Sequence, residues 1–239
     1  MMKPAVILSG QSNMVGHGQL SELGDITMPA KARLFDLNPR PGCFGPEVGF
    51  AQRFLELMPL DELWLIKYAV GGSSLLAWER EWSAERAATA ENADKGALYP
   101  RLIRHVKEVA AGEDVNLLAC LWMQGESDSR YQPAAAAYQR NMTRLIADIR
   151  QDLGRPELHF VMGLVNPAPA RFAHLSTVRA AQSLVAETVP NVALVDTDGL
   201  SKHDDKLHYD SAGQLELGRR FAHQLSIKLR DNAAEQAED

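Results

Sequence analysis

Short apolar runs alternate with amphipathic stretches along the whole chain, and glycine or proline punctuates most of the junctions. The first run, Ala5-Val-Ile-Leu8, gives way at once to a small polar stretch, Ser9-Gly-Gln-Ser-Asn-Met-Val-Gly16. An apolar run of this length bounded by turn residues reads as a strand buried on both faces. Four more begin near Leu63, Val115, Leu158 and Val192, and 32–37 is a candidate short strand. Between them the apolar positions recur at helical spacing. Phe50, Phe54, Leu55 and Met58 share one side of 49–58, and Leu102, Ile103, Val106 and Val109 share one side of 99–111. The stretch 133–153 has Pro133 near its start and Gly154 just past its end, the usual helix asymmetry. Helices are also predicted over 175–189 and 211–229, the latter with Ser211 as N-cap. The charged, Ala-rich 78–95 reads as a long excursion with partial helix.

This alternation, with no internal repeat and no linker, predicts one α/β domain over 1–231. The architecture expected is a three-layer α/β/α sandwich around a mostly parallel five-stranded sheet. A flavodoxin-like order, 2-1-3-4-5, is adopted because it brings the loops after the first three strands to one end of the sheet. The acidic 232–239 is expected to be a disordered tail.

Composition narrows the function classes. The net charge of −6, with no Lys/Arg cluster, argues against a nucleic-acid partner. No apolar run approaches the roughly 20 residues that span a bilayer, so no membrane partner is expected. Cys43 and Cys120 are too few and too far apart to suggest a disulfide framework or a thiolate metal site. Without a signal-peptide pattern the chain is expected in the cytoplasm, or outside it if a leader was removed.

The chemistry-bearing residues lie in the loops. Ser12 follows the first strand, where open α/β sheets place ligands and nucleophiles. Its hydroxyl needs a base. Asp205-Lys-Leu-His208 supplies an Asp and a His three residues apart on one loop, suited to hold an imidazole in one tautomer and aim it at a serine. The residues alone leave other readings open. Ser12 could cap a helix, Gly71-Gly72 could be a plain turn, and His203, Asp204, Asp205 and His208 could hold a metal. Trp78 and Trp82 suit either sugar stacking or the core. Glu47 reads as a loop-fixing carboxylate, and Asp128 as a surface or helix-start charge. The second glycine of G-x-S-x-G is missing from Gly10-Gln-Ser-Asn-Met14, which disfavours the α/β-hydrolase elbow.

Gly10-Gln-Ser-Asn-Met14 resembles the first block of the SGNH-type esterases, most closely carbohydrate esterase family six and the sialate O-acetylesterase group. Gly71-Gly-Ser-Ser-Leu75 with Trp78, Trp122-Met-Gln-Gly-Glu-Ser-Asp128, and Asp205-x-x-His208 followed by Gly213-Gln-x-x-x-Leu-Gly218 resemble the later blocks, in order. The resemblance implies an SGNH hydrolase fold with Ser12 as nucleophile, His208 as base and Asp205 orienting it. It implies an oxyanion hole from the N–H groups of Ser12 and Gly72 (or Gly71) and the side-chain amide of Gln124, where general SGNH enzymes carry Asn. Gln11, Asn13 and Glu126 are expected to brace these loops. The activity implied is removal of O-acetyl groups through an acetyl-serine, from acetylated xylan or xylo-oligosaccharide or from O-acetyl sialic acid, with no cofactor or metal. The partner is then a small-molecule or oligosaccharide substrate. A lipase or thioesterase for longer acyl chains and a non-catalytic carbohydrate-binding protein are the rival readings. The sequence says nothing of oligomeric state.

Overall fold

In the computed structural model, residues 2–167 and 169–238 are described, the side chains of 169 and 232–238 excepted. Among the described residues, eight strands and seven α-helices follow in the order β1 (Lys3–Gly10), α1 (Ser12–Val15), β2 (Gly18–Gln19), β3 (Ala32–Asp36), β4 (Cys43–Phe44), α2 (Glu47–Leu57), β5 (Leu63–Ala69), α3 (Ala84–Ala88), α4 (Tyr99–Ala110), β6 (Val115–Met123), α5 (Gln132–Asp152), β7 (His159–Gly163), α6 (Leu175–Thr188), β8 (Val192–Val195) and α7 (Ser211–Glu238). The tail expected at 232–239 falls where the side chains, and at 239 the backbone, lie outside the described residues.

The main sheet has the order β3-β5-β1-β6-β7-β8, and every pairing is parallel. The order predicted for five strands is therefore present, and β3 adds a sixth at the edge beside β5. Side-chain alternation along β5 separates the layers: Lys67 points to the face that carries α2, reaching Glu47, and its neighbour Tyr68 points to the opposite face, toward Trp78 and Trp122. On that second side α4 packs on β5 and α5 packs with α6. The last helix, α7, packs on α2. β5 is buried along its whole length, and so is β1 from Ala5 onward, which is why they read as unbroken apolar runs. No helix among the described residues is long and apolar enough to cross a membrane.

Two features position the site. Gly10 pairs with Ala69 on one side and with Met123 on the other, so the C-terminal ends of β1, β5 and β6 stop level. Gly10 has φ +140°, and a Cβ there would sit 2.1 Å from the Met123 carbonyl oxygen, so only glycine fits. Beneath α1, the buried Lys67 of β5 donates to Val15 O (2.9 Å) and to Glu47 Oε2 (2.8 Å), with Asp36 Oδ2 3.4 Å away. Glu47 also accepts from Gly45 N, so it fixes its loop as expected, within a buried ion cluster. The N-cap of α7 is Asp210, whose carboxylate accepts from Gly213 N (2.9 Å), and not Ser211. The Ser211 hydroxyl is occupied instead by Gln19 N and the Glu22 carboxylate.

Candidate active site

Three loops leave the level strand ends together. Gln11 N donates to Met123 O (2.8 Å) and Val70 N to Gly10 O (3.0 Å), so the loops start zipped side by side. Ser12 opens α1 and is buried but for its cleft-facing edge. Among the described residues the amide N–H groups of Ser12, Gly71 and Gly72 donate to no partner. Gly71 lies against Ser12, since a Cβ placed on it would be 3.8 Å from Ser12 Cβ. Free donors converging beside a hydroxyl are what a developing oxyanion requires.

The loop between β8 and α7 reaches across to them. His208 Nε2 lies 3.1 Å from Ser12 Oγ, and His208 Nδ1 lies 2.5 Å from Asp205 Oδ2. A carboxylate on Nδ1 holds the ring proton there and leaves Nε2 bare to accept from the serine. Desolvation acts to raise the Asp205 carboxyl. The N–H groups of His208 and Leu207 on Oδ1, and the His208 ring on Oδ2, outweigh it and hold the group at about 2. Asp205 therefore stays an anion in any neutral buffer, as an orienting carboxylate must.

Behind the cleft the side chains form a hydrogen-bonded network. Asn13 Nδ2 donates to Glu126 Oε1 (2.9 Å) and Leu207 O (3.2 Å), and its Oδ1 accepts from Tyr209 N (3.1 Å). Asn13 thus ties the serine loop to both flanks of His208. Gln11 Oε1 accepts from Gly125 N and Ser127 N, tying the same loop to the one after β6. Burial pushes the Glu126 carboxyl up from its ordinary range, with Asn13 opposing.

Gln124 departs from expectation. Its side chain is fully buried and its amide is already committed, donating to Ser73 O (3.0 Å) and to the Asp128 carboxylate. An amide whose two hydrogens are both engaged has none to offer an oxyanion. Asp128 is a helix-start charge, opening the short 3-10 turn Asp128–Arg130, but not a surface one: it is wholly buried, accepting from Gln124, the Ser74 hydroxyl (2.8 Å) and Leu75 N (3.1 Å). Burial pushes its carboxyl up to about 6 against these donors. Gln124 and Asp128 together seat the segment that follows Gly71-Gly72.

The cleft has a volume of about 590 Å³ and is walled by Ser12, Gly72, Leu207 and His208. Its lining includes Arg40, Arg130 and Arg171, none of which pairs with a carboxylate among the described residues. Trp78 stands outside it, stacked edge-on between Tyr68 and Trp122 in the core. Trp82 packs with Leu76 and Ala87, so neither tryptophan faces the cleft. His203 turns its Nε2 to the His17 carbonyl (3.0 Å). Sequence reasoning missed His17 and the three arginines. His17 had a signal, the flanking Gly16 and Gly18. The arginines come singly from three loops and had none.

A family model described as carbohydrate esterase, sialic acid-specific acetylesterase matches residues 28–227. The probable carbohydrate esterase At4g34215 of Arabidopsis thaliana is 28% identical over 249 residues, 90% of this chain and 87% of that protein. The X-ray structure of that Arabidopsis protein aligns with a TM-score of 0.75 at 25% identity, covering 94% of this chain and 98% of the other. A structure of XAC1771 from Xanthomonas citri, described as a carbohydrate acetylesterase, shares the fold with a TM-score of 0.71 at 18% identity, covering 95% of this chain and 55% of that one. The family match takes in most of the chain, from the turn before β3 into the last helix, and the chain belongs to the carbohydrate esterase, sialic acid-specific acetylesterase family.

Proposed function

We propose that this carbohydrate esterase removes O-acetyl groups from an acidic sugar, of the O-acetyl sialic acid kind, through an acetyl-serine on Ser12. The observation that carries the reading is the line Ser12 Oγ, His208 Nε2 at 3.1 Å, and Asp205 at 2.5 Å on the opposite ring nitrogen. Ser12 Oγ attacks the acetyl carbonyl while its proton passes to His208 Nε2. The tetrahedral oxyanion takes hydrogen bonds from the amides of Ser12 and Gly72, or its neighbour Gly71. The C–O bond to the sugar then breaks, and His208 returns the proton to the departing hydroxyl. Water loses a proton to the same nitrogen, attacks the acetyl-serine, and acetate leaves as Ser12 recovers its proton. Asp205 stabilises the imidazolium in both halves and stays ionised.

The rim favours the acidic sugar over acetylated xylan. Arg40, Arg130 and Arg171 bring three guanidinium groups to the cleft of a protein whose net charge is −6. A neutral xylo-oligosaccharide has no use for it, whereas a sugar carboxylate is matched by guanidinium groups. The test compares O-acetyl sialic acid, acetylated xylo-oligosaccharide and nitrophenyl acetate. Ser12→Ala should lose activity on all three by at least about 10⁴-fold, the scale of nucleophile deletion. Arg130→Met and Arg171→Met should raise KM on the acidic sugar and leave nitrophenyl acetate unchanged. An active, folded Ser12→Ala ends the serine mechanism. Faster turnover of xylo-oligosaccharide, indifferent to both arginines, ends the acidic-sugar assignment.

A further inference from the structure

We propose that His17 is a positioning residue, a neutral platform on which the imidazole of His208 is stacked in the orientation that meets Ser12. The inference rests on the reading of His208 as base. The two rings lie parallel, with centroids 3.8 Å apart and planes inclined by 11°. A flat ring against one face of His208 restricts rotation about its side-chain bonds, while Asp205 fixes only its edge.

The position of His17 is built, not incidental. β2 pairs antiparallel with β4, Gly18 opposite Phe44 and Gln19 opposite Cys43. Gly16 lies so close over this ribbon that a Cβ on it would be 2.3 Å from Phe44 O and Gly45 N. Gln19 N is tied to Ser211 at the head of α7, and the His17 carbonyl accepts from His203 on the loop that carries His208. The platform and the base are therefore joined through main chain as well as through the stack.

The platform works only while His17 is uncharged, because an imidazolium there would repel the one that forms on His208. The surroundings enforce this. Arg40 Nη1 approaches the His17 ring nitrogens at 2.7 and 2.9 Å. Close to both ring nitrogens at once, Nη1 lies over the ring rather than along an in-plane lone pair, and a guanidinium charge at that distance opposes a second proton on the ring. Burial, then His208, Arg40 and His203, push the His17 pKa down to about 3, with Asp205 alone pulling the other way. When His208 takes up the proton of Ser12, its neighbour stays neutral.

The experiment uses nitrophenyl acetate, with kcat, KM, the pH profile and thermal melting recorded for wild type, Ser12→Ala, His17→Ala and His17→Phe. His17→Ala should lower kcat by about 10- to 100-fold with KM nearly unchanged, the cost of a slightly misplaced catalytic group. His17→Phe restores a flat uncharged ring and should recover most of that loss, with the acid limb of kcat/KM left where it is in wild type. A merely structural role would lower the melting temperature without splitting Ala from Phe in kcat. Wild-type kcat in His17→Ala, or a folded His17→Phe as impaired as the alanine variant, overturns the proposal. An active Ser12→Ala overturns instead the mechanism beneath it.

Discussion

The two halves of the cleft are made in different ways. The wall that carries Ser12, Gly71-Gly72 and Gln124 grows directly out of three parallel strand ends, and its polar side chains are buried and hydrogen-bonded to one another, Glu126 Oε2 excepted. The arm that carries Asp205 and His208 is a loop, with 42% of the Asp205 side chain and 21% of the His208 side chain open to solvent. It is held by a few ties, Asn13 to Leu207 and Tyr209, His203 to His17, and Tyr209 to Asn166. Buried networks are costly to leave half-satisfied, whereas exposed loops can change at little expense. Damage to the wall should therefore cost stability and activity together, and damage to the arm should cost activity alone.

Asp205→Asn is the strongest test of that separation. It removes the anion behind His208, and kcat should fall by about 10²–10⁴-fold, as when an orienting carboxylate is lost. The melting temperature should move by no more than about 2 °C, because the side chain is partly solvated and its partners stay within reach of water. A collapse in melting temperature would show that the arm is as integral as the wall. Next in size is Asp128→Ala, which strands Gln124, the Ser74 hydroxyl and Leu75 N in the interior. Urea unfolding should show a loss of about 3 kcal/mol, with kcat falling alongside as the segment after Gly72 loses its seat.

Gln124→Ala should be milder. Acting through Ser73 and Asp128, it should lower kcat by about tenfold and cost about 1–2 kcal/mol of stability. A loss of about 10²–10³ in kcat at unchanged melting temperature would instead make Gln124 a direct oxyanion donor. The smallest effect is in acid. The Asp205 carboxyl is held at about 2, below its usual 3.8. Its contribution is thus present above about pH 4 and lost as pH falls through 2. The melting-temperature gap between wild type and Asp205→Asn should narrow from pH 6 to pH 3. Asp128 has the opposite sign. Burial raises it to about 6, so its ionisation costs stability as pH rises from about 4 to 6. The melting temperature of wild type should fall relative to that of Asp128→Asn as the pH is raised across that window.

These two regions also differed in how far they could be read. The buried strands announce themselves by unbroken apolar runs, and their order follows once the Ser12, Gly71-Gly72 and Gln124 loops are required to meet. Asp205 and His208 were legible because they sit three apart on one loop, a separation that needs no knowledge of the rest of the fold. β3 was only a candidate because an edge strand with Arg33 and Leu34 exposed carries no continuous apolar signal. Gln124 was legible as an amide in the right block, but residue type does not say where its hydrogens go, and the buried Asp128 claims them. The α7 cap moved by one residue, to Asp210, because the Ser211 hydroxyl is claimed by a segment almost two hundred positions earlier. Arg40, Arg130 and Arg171 converge only through the path of three loops, and no local pattern records that path.

The contact between His208 and Ser12 joins residues 196 positions apart, which gives the site a place in time. A chain made at about 5–20 residues per second delivers Ser12 within the first seconds. Its strand, however, lies between β5 and β6, finds its first partner only when β5 has emerged, and is enclosed on both sides only after β6. The base follows only after β8, and pairings this distant in sequence form slowly. A nascent chain that has reached Val195 already holds the six strands of the main sheet and the serine, but not His208. On the mechanism proposed here, the site is therefore completed last, and hydrolysis waits on chain order until the loop after β8 has been made and has folded back across the strand ends.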